Sequence, residues 1–199
     1  MKCIVLASNS LRRIELFRKM GIDVVAIAPN VEEVIYVGDP FRTVLENSKR
    51  KVLSVFDRAP HNSIIIGIDT AIFNPMIGVI GKPKTIEEAE RMLMSFSGKY
   101  HMVIGGVTLL DKETGKTTEF TDITIVKFRD VTEDEIKLYI SIENPLDKAG
   151  AYAIQGLAAF FIESIIGDYY NVVGLPLSKL YRVLDEEFGF NLLKNLVKR

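Results

Sequence analysis

The first twenty residues constrain the fold most, because a short apolar run passes directly into a polar turn and then into a helical pattern. Residues 2–7 (KCIVLA) form an almost continuous apolar run, which is typical of a strand buried on both faces of a sheet. Ser8-Asn9-Ser10 supplies turn and N-cap chemistry, and the segment from Arg12 to Met20 has helical spacing before Gly21 ends it. The pattern predicts a strand, a tight turn and a helix in immediate succession.

This turn is also the first candidate site. It combines the hydroxyls of Ser8 and Ser10 with the guanidinium groups of Arg12 and Arg13, at a helix start whose backbone N–H groups are free to bind an anion. The alternative is a solvated first turn. Arginine in a first turn opposes the helix dipole, however, and that local conflict favours an anionic ligand.

The remainder of the chain alternates strands with helices in its first half and forms a strand meander in its second half. The spacing predicts strands over 22–27, 64–68, 100–110, 117–129 and 158–166, a hairpin over 71–80, helices over 40–57, 85–96, 132–141 and 175–188, and a short helix after Asn191. Capping boxes at Thr85/Glu88 and Thr132/Glu135 support two of these helices, and Asp39, followed by Pro40 at the first helical position, is the predicted cap of the 40–57 helix. The pattern predicts an α/β fold with a mixed sheet.

Composition excludes several classes of protein. The chain has 199 residues, 48% of them hydrophobic, and its 25 Lys and Arg against 26 Asp and Glu give a net charge of −1, so no basic surface for nucleic acid is indicated. A single cysteine excludes disulfides within the chain. Neither a signal peptide nor an apolar run of membrane-spanning length is present. We therefore expect a cytoplasmic protein without nucleic-acid or membrane partners.

A second polar cluster follows the apolar run 64–68. Asp69-Thr70 occupies the expected exit of this strand, where an aspartate is either a cap or a site group. Lys82 follows one hairpin later, and the hairpin is expected to bring its ammonium back towards the Asp69 carboxylate. Lys51 shares one side of the 40–57 helix with Asn47, whereas Lys49 and Arg50 fit a solvated face.

A third, weaker cluster lies in the second half of the chain. This cluster consists of Lys148, Tyr152 and Gln155, and the nearby Gly150 and Gly156 allow close approach of the backbone. Gln155 offers a donor and an acceptor to a base edge, although an ordinary turn explains the cluster equally well.

The candidate metal ligands belong to a different segment. Glu32 and Glu33 lie in a surface loop that could also hold a hard cation. Because the two histidines form no ligand pair, Mg²⁺ is favoured over zinc.

The order of these motifs resembles that of the Maf-like nucleoside triphosphate pyrophosphatases. Residues 6–16 (LASNSLRRIEL) resemble the family's L-A-S-x-S-P-R-R-x-E-L, residues 67–70 (GIDT) its G-A-D-T, and residues 81–83 its G-K-P. Residues 97–101 resemble its S-G-x-x-H block, and residues 146–156 (LDKAGAYAIQG) and 172–176 (VVGLP) its C-terminal signatures. P-loop, Rossmann and α/β-hydrolase motifs are absent from the sequence.

The resemblance implies a single Maf-like domain over residues 1–199, built as a mixed twisted sheet with flanking helices and two lobes around a cleft, as in the inosine triphosphate pyrophosphatases. Residues 46–51 (ENSKRK) are also similar to a helix motif of those enzymes. The 146–156 segment resembles that of the members hydrolysing dTTP and UTP. A homodimer and a divalent cofactor, Mg²⁺ or Mn²⁺, are implied in the same way.

By the same resemblance Asp69 is the catalytic base and a metal ligand, and Glu33 is a second metal ligand. The implied substrate-binding residues are Ser8, Arg12, Arg13, Lys51, Thr70, Lys82 and Gln155. The sequence departs from the family pattern at Leu11, in place of proline, at Ile68, in place of alanine, and within the hairpin 71–80. The rival hypothesis is a non-catalytic regulator of cell division or a nucleic-acid-binding module.

Overall fold

The computed structural model describes residues 2–197, which form one seven-stranded sheet with helices packed against it. The strands are β1 (Cys3–Ala7), β2 (Val24–Ile27), β3 (Ser63–Asn74), β4 (Gly78–Ile80), β5 (Tyr100–Asp111), β6 (Thr117–Phe128) and β7 (Ile162–Ile166). The helices are α1 (Leu11–Lys19), α2 (Pro40–Val55), α3 (Ile86–Phe96), α4 (Glu133–Ile142), α5 (Tyr169–Val173), α6 (Leu177–Phe188) and α7 (Leu192–Val197). No helix in this part of the chain is both long and apolar enough to cross a bilayer.

The sheet is mixed, and its order is β2-β1-β3-β5-β6-β7, with β4 paired to one end of β3. The strands β2, β1 and β3 run parallel, as expected for strands joined through α1 and α2. From β3 onwards the neighbours are antiparallel, because β5, β6 and β7 belong to the meander. The predicted α/β class with a mixed sheet and flanking helices is confirmed. Its division into two lobes stays a prediction.

The predicted end of the third strand at Asp69 is wrong. β3 continues to Asn74 because its two edges are paired over different lengths. On one edge β1 ends at Ala7, opposite Gly67, whereas on the other edge β5 stays paired as far as Phe73. Asp69 therefore lies inside a continuous strand, two residues beyond the last residue paired with β1. Its side chain still lies beyond the end of a strand, although that strand is β1.

α2 crosses β3 and β5 at very short range, and two glycines allow it to do so. A Cβ atom on Gly67 would collide with the Ser48 carbonyl oxygen, and one on Gly106 would collide with the Val44 backbone. The close approach is completed by a buried hydrogen bond of 2.8 Å between the hydroxyls of Ser48 and Thr108. The helix therefore lies directly against the strand that carries Asp69.

Local predictions near the helix ends have mixed outcomes. The Asp39 cap of α2 and the reciprocal Thr132/Glu135 capping box of α4 are present. Thr85 caps α3, but the predicted box is only half formed, because Glu88 accepts from the Lys84 backbone N–H and not from that of Thr85. Residues 157–161 form a 3₁₀ helix rather than the first half of the predicted strand, which shortens β7 to Ile162–Ile166. The helix α5 lies in a segment for which the sequence predicted no element, and α6 begins at Leu177 because Pro176 occupies its N-cap position.

Candidate active site

Asp69 is the centre of a buried polar network between α2 and β3. One carboxylate oxygen, Oδ1, accepts a hydrogen bond of 2.6 Å from Lys51 Nζ, and the other, Oδ2, accepts one of 3.0 Å from the Asn47 amide. The side chains of Asp69 and Lys51 are only 11% and 8% exposed. Each charged group is therefore held in place by a partner, which a buried ion pair requires.

The same lysine also binds the loop that precedes α2. Lys51 Nζ lies 2.7 Å from Glu33 Oε1, so one ammonium group joins two carboxylates from different parts of the chain. Burial acts to raise the pKa of Glu33, but the charges of Lys51, Lys82 and Arg13 outweigh it, so this pKa lies below its ordinary value. Glu33 is thus ionised at neutral pH, as a metal or cation ligand must be.

Asn47 was not predicted as a site residue, although it is central to this network. Its amide group donates to Asp69 and to the Val34 carbonyl, while its Oδ1 accepts from the Val34 backbone N–H at 2.9 Å. One side chain therefore fixes both the Asp69 carboxylate and the loop that carries Glu33. The i, i+4 spacing of Asn47 and Lys51 on α2 was the sequence signal for this role.

The predicted pairing of Lys82 with Asp69 is wrong, because Lys51 takes that place from the helix packed over β3. Lys82 is exposed on the wall of the cleft above Asp69, as is Arg12 at the start of α1. Among residues 2–197, no carboxylate lies within ion-pair distance of either cation. Both are therefore available to bind an anionic ligand.

Arg13 lies deeper and holds the site together. Its guanidinium group donates to the Gly174 carbonyl at 2.7 Å, to the Ile68 carbonyl at 3.1 Å and to Thr70 Oγ1 at 3.0 Å. Burial lowers the pKa of Arg13, although the charges of Asp69 and Glu33 act in the opposite direction, and arginine stays protonated regardless. Arg13 therefore connects α1, β3 and the end of α5, and its charge acts on the cleft mainly at a distance.

The predicted turn before α1 has two different halves. Ser8 is buried, and its hydroxyl accepts from the backbone N–H of Ser10 at 3.1 Å, so this side chain stabilises the turn and does not line the cleft. Ser10 occupies the N-cap position of α1 and lines the cleft, but its side chain makes no capping hydrogen bond. The first-turn N–H groups of α1 therefore stay available for an anion.

Gln155 also lines the cleft, in a segment that turns sharply. Its side chain is exposed and makes no hydrogen bond within residues 2–197. Lys148, by contrast, donates to Asp147 Oδ1 at 2.8 Å, and the Tyr152 hydroxyl lies 2.7 Å from His101 Nε2. Of the third predicted cluster, only Gln155 therefore presents unpaired polar atoms to a ligand.

One cleft thus collects almost all of the predicted site residues, from segments far apart in the sequence. Its walls include Arg12, Arg13, Glu33, Lys51, Asp69, Thr70, Lys82 and Gln155, together with Ser10. Arg12 and the first-turn N–H groups belong to α1, Lys82 follows β4, and the carboxylates of Glu33 and Asp69 contact Lys51. Together with the Gln155 amide, these groups are suited to a ligand that has several negative charges and a hydrogen-bonding group.

The donor set on the floor fits a hard divalent cation. Glu33 and Asp69 approach one cationic centre, the ammonium of Lys51, at 2.7 and 2.6 Å, and two carboxylates are what Mg²⁺ commonly takes from a protein when phosphates complete its shell. Among residues 2–197, no group of three His, Cys, Asp or Glu side chains could enclose a metal ion. A metal here therefore needs oxygens from its substrate.

Comparison with known proteins shows the family of the chain. A sequence model described as Maf-like protein matches residues 3–187. The chain belongs to the Maf-like family. A Maf-like relative from Staphylothermus marinus, named dTTP/UTP pyrophosphatase, is 52% identical over 100% of this chain and 96% of its own. Another with the same name, from Alkaliphilus metalliredigens, is 43% identical over 97% of this chain and 100% of its own.

Similarity to a solved structure is weaker. A HAM1 protein from Coxiella burnetii aligns with 64% of this Maf-like chain and 73% of its own, at 18% identity and a TM-score of 0.45. Such a score is too low to support an inference about the site. The family resemblance identified from the sequence motifs is nevertheless confirmed by the match over residues 3–187.

Proposed function

We propose that this chain is a nucleoside triphosphate pyrophosphatase that hydrolyses dTTP and UTP to the monophosphate and pyrophosphate. The observation that carries the proposal is a pair of cations without carboxylate partners among residues 2–197, Arg12 and Lys82, in the same cleft as the buried Asp69. The names of relatives aligned over nearly the whole chain support both the reaction and the nucleotides.

Asp69 is suited to act as the general base. An ionised carboxylate has about four lone-pair positions, of which Lys51 and Asn47 occupy one on each oxygen. The remaining positions can accept a proton from a water molecule that attacks the α-phosphorus, while the bond to the β-phosphate breaks and pyrophosphate leaves. Lys51 and Asn47 fix the carboxylate so that it need not reorient during this step.

The cations of the cleft stabilise the triphosphate as charge develops on the leaving pyrophosphate. Arg12 and Lys82 are placed to bind phosphate oxygens directly, and Arg13 adds a fixed positive charge behind them. Phosphoryl transfer depends mainly on positioning and electrostatics, so this set of cations provides the main contribution of the chain itself. Gln155 would pair with the O4 and N3–H edge of uracil or thymine through one donor and one acceptor.

A divalent cation, Mg²⁺ or Mn²⁺, would be held by Glu33 and Asp69 and would neutralise charge on the triphosphate oxygens. The neighbouring carboxylates Glu32 and Glu33 provide a matched test, because both are exposed loop residues but only Glu33 contacts Lys51. We expect Glu33→Gln to raise the Mg²⁺ concentration needed for half-maximal activity, and Glu32→Gln to leave it unchanged. Equal effects of the two substitutions would contradict a metal role for Glu33.

The deciding experiment measures pyrophosphate release from dTTP, UTP, CTP, ATP and GTP with Mg²⁺, with EDTA, and after Mg²⁺ or Mn²⁺ is restored. We expect dTTP and UTP to be hydrolysed fastest and EDTA to abolish the activity reversibly. Preference for a purine nucleotide would contradict the substrate, and release of orthophosphate would contradict the reaction. No hydrolysis of any nucleotide would favour a non-catalytic regulator. The homodimer implied by the resemblance stays a prediction, which light scattering after gel filtration checks.

A further inference from the structure

His101 is a buried ionisable residue that the proposed chemistry does not use. It lies on β5 with 1% of its surface exposed, and its ring stacks at 4.3 Å from Phe96 and lies 5.3 Å from Phe128. Its Nε2 is 2.7 Å from the Tyr152 hydroxyl, while Nδ1 has no hydrogen-bond partner within residues 2–197. An apolar side chain would fill this position without burying an unpaired nitrogen.

Burial of an unpaired polar atom is unfavourable, so the imidazole is a poor choice for packing alone. Burial also lowers the pKa of His101 to about 4, which makes the ring neutral at physiological pH. What the ring provides beyond an apolar side chain is its hydrogen bond to Tyr152. The position of Tyr152 in the cleft indicates what that bond accomplishes.

Tyr152 lies in the segment that carries Gln155, and this segment has a strained start. Gly150 and Ala151 both have φ near +66°, a conformation that is unfavourable for alanine and persists only where surrounding contacts impose it. The Gly150 N–H donates to the Gly81 carbonyl at 2.9 Å, beside Lys82, and the Tyr139 hydroxyl donates to the Ala151 carbonyl at 3.3 Å. The His101 bond fixes the next residue and connects the segment to the central sheet.

We propose that His101 is a positioning residue for base selection. Through Tyr152 it holds the backbone of residues 149–155 against β5, and it thereby sets the distance between the Gln155 amide and the Asp69 carboxylate, which lies on the adjacent strand β3. The inference rests on the proposed function, in which Gln155 contacts the base. An amide displaced by a fraction of the length of a hydrogen bond pairs poorly with uracil and loses its discrimination.

Three variants test the proposal. His101→Leu and Tyr152→Phe each remove the hydrogen bond, and Tyr152→Phe keeps the ring that packs against Phe128. His101→Gln restores a polar group at about the depth of Nε2. We expect the first two to lower the ratio of kcat/KM for UTP to that for CTP by about fivefold to tenfold, together with a fall in Tm because each leaves a buried partner unpaired, and His101→Gln to retain most of the ratio. A lower Tm with equal loss on all nucleotides would indicate a merely structural role and overturn the proposal.

Hydrogen exchange of the free protein provides a readout that needs no substrate. We expect faster exchange of the Gly150 and Ala151 amides in His101→Leu and Tyr152→Phe, and protection close to that of the unmodified chain in His101→Gln. Unchanged protection in all three variants would overturn the proposal whatever the kinetics show. Tyr152→Phe alone decides the matter if His101→Leu fails to fold.

Failure of the proposed function and failure of the positioning role of His101 give different experimental results. If the unmodified chain does not prefer UTP and dTTP, the proposed function is wrong and base selection by this route falls with it, while the exchange data still report whether His101 holds the segment. If the chain prefers UTP and Gln155→Ala removes that preference but His101→Leu does not, the proposed function stands and the positioning role is wrong.

Discussion

Two regions of the cleft are held in place in different ways. On the floor, Asn47, Lys51 and Asp69 form what we call the α2–β3 network, in which every charged group is buried and paired. Residues 147–156, which also line the cleft, form an irregular segment with a strained turn and an exposed Gln155. In the proposed function, a fully hydrogen-bonded network would carry the chemistry, and a segment held at a few points would recognise the base. Substitutions in the two regions are therefore expected to have separable effects.

The largest expected effect is that of Asp69→Asn on turnover. Asparagine keeps the shape of the side chain but cannot take a proton, and general-base catalysis contributes about 10²–10⁴-fold to a rate. We expect kcat to fall by that factor, whereas nucleotide affinity and the circular dichroism spectrum stay close to those of the unmodified chain. Pyrophosphate release at a comparable rate would refute Asp69 as the base and remove the contrast between the two regions of the cleft.

The second effect concerns stability. Lys51→Met leaves the carboxylates of Asp69 and Glu33 without their shared cation, and loss of one partner from a buried pair costs about 3 kcal/mol. Lys49→Met, two residues away on the same helix, breaks only an exposed contact of 3.6 Å to Glu119, for which about 0.5 kcal/mol is expected. Urea denaturation of both variants measures the difference. Equal losses would mean that the buried α2–β3 network contributes no more to the free energy of unfolding than an exposed ion pair does.

The third effect is on selectivity rather than rate. A Gln155 amide that a bound cytosine or purine covers and leaves unpaired costs about 1–3 kcal/mol, which corresponds to roughly tenfold to a hundredfold in kcat/KM. We expect Gln155→Ala to reduce the preference for UTP and dTTP over CTP, ATP and GTP by this order, with little effect on Tm. An equal loss of activity on all five nucleotides would show that Gln155 only braces the turn.

The last effect, which is limited to acidic solution, is a dependence of stability on pH. Burial lowers the pKa of His101 from 6.5 to about 4, so between these values the unfolded chain binds a proton that the folded chain does not. The free energy of unfolding therefore decreases as the pH falls from about 6.5 to 4, by at most about 3 kcal/mol from this group. His101→Leu should remove this part of the dependence.

The exposed His61 provides the control for that measurement. We expect His61→Leu to have the same pH dependence of stability as the unmodified chain, since this exposed side chain meets solvent in both the folded and the unfolded chain. If the two histidine variants respond identically to acid, burial of His101 has no thermodynamic consequence and its bond to Tyr152 loses part of its rationale.

Much of this molecule was predictable from local patterns. The apolar runs, the Asp39 and Thr132 caps and the polar turns predicted most strands and helices, because these signals depend on neighbours a few residues apart. The irregular elements were not predicted. The 3₁₀ helix over 157–161 and helix α5 follow from tertiary packing, and the true length of β3 depends on how far β5 extends beside it.

The residues of the site show the same difference between what the sequence and what tertiary packing determine. The sequence by itself determined which chemical groups are available, since Arg12, Asp69, Lys82 and Gln155 occur in motifs whose residue types match a nucleotide triphosphate. Only the tertiary structure decided their partners: Lys51 rather than Lys82 reaches Asp69, Ser8 supports a turn, and Arg13 connects three elements. The physical reason is the crossing of α2 over β3, which depends on Gly67 and Gly106 and places a helix side chain where the chain order would have placed a hairpin residue.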